Sequence, residues 1–264
     1  MNIKCDVHTH TFYSRHAYST IEENICAAKE IGLELLGSTD HFSGMLFPEP
    51  LDLKNYQYFS NVGAWPREWH GVKLLRGCES DIIDLKGNLF GHDFYFDKTI
   101  VSDPYTGGKD LDKFVTDRMD YVIASVHGKG FTIGASKKET TEMYLGALEH
   151  PKVLILGHTG RSGVPYDVDE VLIRAKELGK AIEINEHSFE IDGGQSSGVC
   201  KKIAIRCAEL GTKIAVSTDA HISVDIGRFN NTVTMLEEIH FPEELIANRN
   251  AEVFLETIKN AKLG

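Results

Sequence analysis

Asp6-Val7-His8-Thr9-His10 and Ser217-Thr218-Asp219-Ala220-His221, one near each end of the chain, decide how the sequence is read. Each follows a strand-length apolar run rich in branched residues, 3–7 and 213–217. The arrangement recurs between them. Ser38-Thr39-Asp40-His41 closes the run 33–38, Gly77-Cys78-Glu79 the run 72–77, Ser125-Val126-His127 the run 121–126 and Leu156-Gly157-His158 the run 153–157. A seventh run, 180–184, leads into Asn185-Glu186-His187. Amphipathic stretches at 20–31, 137–148, 168–178 and 198–210 lie between the runs, and Gly32, Gly179 and Gly211 stand where helices end. A glycine just past a helix relieves the left-handed terminal turn. Strands alternating with helices over short links imply a parallel sheet. Seven such units predict an α/β fold of the (β/α)7 TIM-like barrel type, with a doubly wound open sheet as the other arrangement.

No Pro/Gly/Ser-rich linker or low-complexity segment divides the 264 residues, so 1–264 is read as a single domain. Residues 81–120 resist the pattern. They carry the turn signals Gly87-Asn88, Asp103-Pro104 and Gly107-Gly108 and are read as a long excursion after the third strand. Their aromatic residues, Phe90, Phe94, Tyr95, Phe96 and Tyr105, would serve either as a lid over the carboxyl ends of the strands or as a hairpin packed elsewhere.

The net charge of −11 disfavours long nucleic acids and anionic membranes, which need clustered Lys and Arg. The amino terminus shows no basic segment followed by an apolar one, and no run approaches the roughly 18 apolar residues of a membrane span. The cysteines, Cys5, Cys26, Cys78, Cys200 and Cys207, are odd in number and form no C-x-x-C pair, so reduced thiols and a cytoplasmic location are expected.

In a parallel barrel the carboxyl ends of the strands share one face. Six of the seven runs deliver a metal-type side chain there, and His16 follows the first by a short loop. Residues two apart on an extended chain face the same way, so His8/His10 and Asp219/His221 are each expected to aim two groups at one point. Seven histidines and two carboxylates exceed the roughly four ligands that one zinc ion takes. Nine donors with one bridging carboxylate suit three divalent ions, and imidazole with carboxylate fits zinc, manganese or iron. His70, His92, His150 and His240 lie in loops or helix ends and are read as structural. His187 faces the same rim as the ligands and is a candidate for touching substrate, with Arg161, Arg67 and Lys129 as candidate phosphate contacts. Trp65, Trp69, Tyr56 and Phe59 are read first as packing.

These motifs resemble the PHP superfamily (polymerase and histidinol phosphatase domains) over nearly the whole chain. Residues 16–20, Trp65-Pro66-Arg67, residues 74–79 and Ile182-Glu183-Ile184-Asn185 are similar to its YcdX-like phosphatase branch. The resemblance implies a distorted seven-stranded barrel and a trinuclear, usually zinc, centre. It places His8, His10, Glu79 and Asp219 on the first metal and His16, His41 and His221 on the second. Glu79, His127 and His158 fall on the third, with Glu79 bridging. Ion counting leaves such a centre at about +3, which attracts phosphate monoesters although the protein is acidic. The expected activity is hydrolysis of small phosphate monoesters by a metal-activated hydroxide, with Glu79 and Asp219 acting through the metals. The alternatives are a histidinol-phosphate phosphatase, a non-catalytic module supporting a polymerase, and a phosphodiesterase or nuclease. Homo-oligomerisation is left open.

Overall fold

Seven parallel strands follow one another in space in the order of the chain: β1 (Cys5–Thr9), β2 (Leu35–Ser38), β3 (Val72–Asp81), β4 (Tyr121–Ser125), β5 (Val153–Leu156), β6 (Ala181–Asn185) and β7 (Ile214–Ser217). The computed structural model describes residues 1–191 and 194–263, with the side chains of all of these except 106 and 107. Six ladders join successive strands, while β7 returns to β1 through a single parallel bridge, Thr9 with Ala220. His10 N–H donates to Ala220 O and Asp219 N–H to His8 O, both at 2.9 Å, and these bonds draw the barrel nearly shut. A strand order that never reverses, on a sheet that meets itself, is the barrel and not the open alternative.

The distortion lies in β3. Its amino half, Lys73 to Arg76, pairs with β2, and its carboxyl half, Gly77 to Asp81, pairs with β4. The short strand His41–Phe42 continues beyond β2 and pairs with Glu79 and Ser80. Glu79 therefore sits inside the barrel, flanked by His41 on one side and Ile123 on the other.

Below Glu79 the interior is filled by Val7, Leu35, Leu75, Tyr121, Ile123 and Leu154, and Phe254 packs into the same cluster. Tyr121 spans the centre and donates its hydroxyl to Val7 O at 2.6 Å. Gly37 makes that possible, since a Cβ there would lie 1.9 Å from the Tyr121 oxygen. Phe254 belongs to the last helix, Ala251–Asn260. Helices α1 (Ile21–Glu30) and α2 (Lys137–Glu149) start with reciprocal capping boxes, Thr20 with Glu23 and Ser136 with Glu139. α3 (Val168–Glu177), α4 (Gln195–Leu210) and α5 (Asn230–Glu238) continue the outer layer. Gly32, Gly179 and Gly211 have positive φ, as their place after helices requires. The five cysteines are free; Cys26 is exposed and the other four are buried.

Candidate metal centre

Glu79 is fully buried, and its two oxygens face different neighbours. Oε1 accepts the Ser125 hydroxyl at 2.6 Å and lies 2.8 Å from His158 Nε2 and 3.4 Å from His127 Nε2. Oε2 lies 2.8 Å from His41 Nδ1, 3.3 Å from His8 Nε2 and 3.6 Å from His10 Nε2. Asp219 Oδ1 faces the same space, 3.0 Å from His10 Nε2 and 3.4 Å from His8 Nε2. His16 Nε2 is 3.2 Å from His41 Nε2, and the His221 ring stacks on that of His16 with centroids 4.7 Å apart. All nine residues proposed from the sequence thus meet at the carboxyl end of the barrel.

Three overlapping sets have ligand atoms within 4.8 Å of one another: His8, His10, Glu79 and Asp219; His10, His41 and His221; and His41, Glu79 and His127. His16 and His158 border these sets. His10, His41 and Glu79 each belong to two sets, so the positions are contiguous.

Five atoms directed into this space, His8 Nε2, His10 Nε2, His41 Nδ1, Glu79 Oε2 and Asp219 Oδ1, are buried without a hydrogen-bond partner. Each such group costs roughly 1–3 kcal/mol unless something satisfies it. Lone pairs of nitrogen and carboxylate converging on one point are what divalent cations satisfy, so the donor set fits metal ions. The outer ring nitrogens agree. His8 Nδ1 pairs with Glu183 Oε1 at 2.6 Å, His127 Nδ1 with Asp81 Oδ1 at 2.7 Å, and His221 Nδ1 with Asp219 O at 2.8 Å. His10 Nδ1 donates to Ser14 Oγ at 3.0 Å, which itself donates to Asp40 at 2.7 Å. An outer N–H held in this way turns the Nε2 lone pair inward.

Local backbone irregularity aims these groups. The register of β1 slips between Asp6 and Thr9, so Val7 packs in the interior while neighbouring His8 also reaches the cluster. His158 and Asp219 adopt φ of 28° and 58° immediately beyond β5 and β7. Asp219 and His221 therefore converge through a left-handed turn, not through the extended spacing expected from the sequence. Non-glycine residues held there carry strain, which clusters at functional sites.

Residues 6–192 match the PHP domain family model. The chain belongs to the PHP domain family. A probable phosphatase of Clostridium botulinum strain Langeland is 40% identical over 260 residues, covering 98% of this chain and 96% of the relative. A probable phosphatase of Caldanaerobacter subterraneus subsp. tengcongensis is 36% identical over 252 residues, covering 96% and 89%. The crystal structure of histidinol phosphate phosphatase from Lactococcus lactis, complexed with zinc, L-histidinol and phosphate, shares the fold. Its TM-score is 0.58 at 22% identity, over 90% of this chain and 94% of that one.

The electrostatics of this PHP barrel are those of a compressed charge cluster. Burial pushes the Glu79 carboxyl up, but His127, His8 and His41 outweigh it and hold the group well below the usual range. Burial likewise opposes ionisation of Asp219, and His8, His10 and Arg161 overcome it. His10 is held well below the ordinary imidazole value, by burial and then by the neighbouring His41.

Above this cluster lies a pocket of about 640 Å³, lined by His16, His41, His127, Asp219 and His221 on one side. Arg161 lines it too, giving one N–H to Asp219 Oδ2 at 2.5 Å and another to Asn185 Oδ1 at 2.8 Å. His187 is on the rim, its Nδ1 3.8 Å from the Glu190 carboxylate. Two candidates from the sequence are placed elsewhere. Arg67 pairs with Asp120 beside the strand Glu68–Trp69, which runs antiparallel to the amino end of β3, at the face opposite the ligands. Lys129 is exposed and does not line the pocket; its Nζ lies over Gly163.

Of the two readings of 81–120, a lid or a hairpin packed elsewhere, the structure has the hairpin, although Ile83 and Phe90 line a smaller pocket beside His127. No described residue of 82–120 lines the larger pocket above the cluster. Tyr95–Lys98 and Pro104–Asp110 form a two-stranded hairpin, followed by the helix Leu111–Thr116. Phe96 is buried against Phe114, ring centroids 5.3 Å apart, and the hairpin borders the segment 49–54 on the barrel side. Tyr56 and Phe59 are fully buried core residues.

Sequence reasoning passed over the buried carboxylates behind the ligands. Glu183 accepts from His158 N–H as well as pairing with His8, and Asp40 accepts from Thr11, Ser14 and Tyr58. The signal was Glu183-Ile184-Asn185, two polar groups at strand spacing inside a run otherwise read as apolar.

Proposed function

We propose that this protein is a metal-dependent phosphatase acting on small phosphate monoesters through a trinuclear centre held by His8, His10, His16, His41, Glu79, His127, His158, Asp219 and His221. The observation that carries the reading is the convergence of unpartnered, buried nitrogen and carboxylate atoms beneath an open pocket. Relatives across nearly the whole chain, named probable phosphatases, support it. The complete donor set speaks against a non-catalytic module.

Divalent ions held there, zinc first and manganese or iron next, would acidify water and neutralise phosphoryl oxygens. The chain's own part is positioning. Glu79 presents one oxygen to each of two histidine groups and so spaces neighbouring positions. Ser125 and Glu183 fix Glu79, His8 and His158, while Ser14 fixes His10. Arg161 holds Asp219 and presents its flank to the pocket, where a phosphoryl group would lie. His187 stands at the rim, placed to meet the leaving group. Phosphoryl transfer asks for little beyond such positioning and charge stabilisation. No helix of the described residues is long and apolar enough to cross a membrane.

The test is elemental analysis of protein purified without chelator, joined to turnover of a phosphoester panel after reconstitution with each metal. About three ions per chain and preference for small monoesters are expected. One ion or fewer after reconstitution would remove the trinuclear centre. Histidinol phosphate as the sole good substrate would select that narrower activity, and preference for diesters would overturn the monoester reading.

A further inference from the structure

The outer wall of the pocket contains a cation that the metal cluster does not use. Arg161 is committed to Asp219 and Asn185. Arg228 also lines the pocket, is exposed, and makes no side-chain hydrogen bond or ion pair with any described residue. It is not on a loose loop. Before it, Gly227 N–H donates to Asp6 Oδ2 at 3.0 Å. The same carboxylate accepts Thr218 N–H at 3.2 Å and the Thr218 hydroxyl at 2.5 Å, so it ties the Arg228 turn to the turn that carries Asp219. Gly227 has φ of 69°, a left-handed conformation that glycine adopts without strain. After it, Phe229 is buried in the core. Arg228 thus stands between two anchors, with its guanidinium free at the mouth of the site.

Acids share this wall, and they decide the sign of what can bind. Glu186 is taken up by the N–H groups of Asn231 and Thr232 at the start of α5 and by the Asn231 side chain. Glu190 faces His187. Asp225 is exposed, lines the pocket and forms no ion pair with Arg228. The guanidinium is therefore not cancelled by a direct partner, and its fork of N–H donors matches carboxylate or phosphate oxygens.

We propose that Arg228 binds a second anionic group on the leaving portion of the substrate, so that the preferred substrates are small phosphomonoesters that also carry a carboxylate or another phosphate. This rests on the phosphatase reading, in which the scissile phosphate occupies the cluster. The bound substrate then bridges the pocket, phosphate at the cluster and second anion at the Arg228 turn. Substrates with a neutral leaving group lose that outer contact.

The test uses non-hydrolysable phosphonates and calorimetry on the metal-reconstituted full chain. Propylphosphonate is the neutral reference, 3-phosphonopropionate adds a carboxylate, 1,3-propanediphosphonate adds a second phosphonate, and 3-aminopropylphosphonate adds an ammonium group. The anionic compounds are expected to bind about tenfold more tightly than propylphosphonate, a difference of about 1.4 kcal/mol. In Arg228→Gln that ratio should fall to about one, and Arg228→Lys should keep part of it as a point charge. Because Arg228 is exposed, neither substitution disturbs the core. Equal binding of neutral and anionic compounds, or a ratio retained in Arg228→Gln, would overturn the assignment while leaving the phosphatase reading intact. Preference for the ammonium compound would overturn it in favour of Asp225 and Glu190. Failure of all four compounds to bind would bring down the phosphate reading and this assignment with it.

Discussion

At the scale of single residues, the centre depends on two kinds of carboxylate, and the sequence showed only one of them. Glu79 offers an oxygen to each of two histidine groups, whereas Glu183 touches ligands only from behind. Glu79→Gln removes one charge from the shared position, so it should cost at least one ion per chain and more turnover than His16→Ala, which affects the edge of the cluster. Glu183→Gln should keep the ions at saturating metal but weaken affinity by about 10–100-fold, the usual cost of losing an orienting partner. Elemental analysis and chelator competition separate the two. Equal metal loss in both variants would contradict the division of roles. Glu79 was legible because an acid closing a strand beside histidine-closed strands has few other readings. Glu183 was not, because its role depends on His8, 175 positions away in the chain. Arg67 misled for the same reason: a basic residue in a suggestive motif says nothing about which end of the barrel it occupies.

At the scale of elements, the parallel strands were readable because branched apolar runs, terminal glycines and helical periodicity all agreed. Residues 81–120 left two readings, a lid or a hairpin packed elsewhere, because what decides between them is the tertiary packing of Phe96 on Phe114 and not a local period. That placement makes a prediction. Replacing 95–110 by a short Gly/Ser link should lower Tm through loss of buried Phe96, while leaving relative efficiency towards bulky and small phosphoesters unchanged. A selective gain for bulky substrates would restore the lid reading. The strand ends matter more to the chemistry. Gly157, between β5 and His158, faces Ser125, and a Cβ there would lie 2.1 Å from the Ser125 hydroxyl that donates to Glu79. Gly157→Ala must displace that hydroxyl or the strand, at a cost of about 1–3 kcal/mol from overpacking. Ser125→Ala removes only the donor. Thermal unfolding should therefore show the larger loss in Gly157→Ala, with metal affinity reduced in both. Unaltered metal affinity in Ser125→Ala would show that the hydroxyl does not position Glu79.

At the scale of the molecule, closure of the barrel and loading of the site are one problem. The six ladders from β1 to β7 are built from strand residues, but the seam between β7 and β1 has no ladder: one bridge, a few backbone bonds, the Asp6 carboxylate on Thr218 and the Asn248 side chain between Cys5 and Val216 hold it. His8 and His10 arrive from one side of that seam, Asp219 and His221 from the other, and the facing atoms of His8, His10 and Asp219 are buried and unpartnered. Ions shared by these side chains would therefore clasp the one join among the described strands that has no ladder. No local reading of the sequence could find this, since it follows from the register of the first and last strands, more than 200 residues apart. Removal of metal should act there before it acts elsewhere. By mass action, a ligand at about a thousand times its Kd stabilises the folded state by about 4 kcal/mol, so thorough chelation should lower Tm by several degrees. Hydrogen exchange gives the spatial test. After chelation, amides of 5–10 and 214–221 should lose protection first, while those of β3 and β4, joined by a five-residue ladder, stay protected. Restoring zinc should restore the seam. Uniform loss of protection around the barrel would show that the ions stabilise the fold as a whole, and unchanged exchange at the seam would show that the backbone bonds with Asp6 and Asn248 hold it closed without metal.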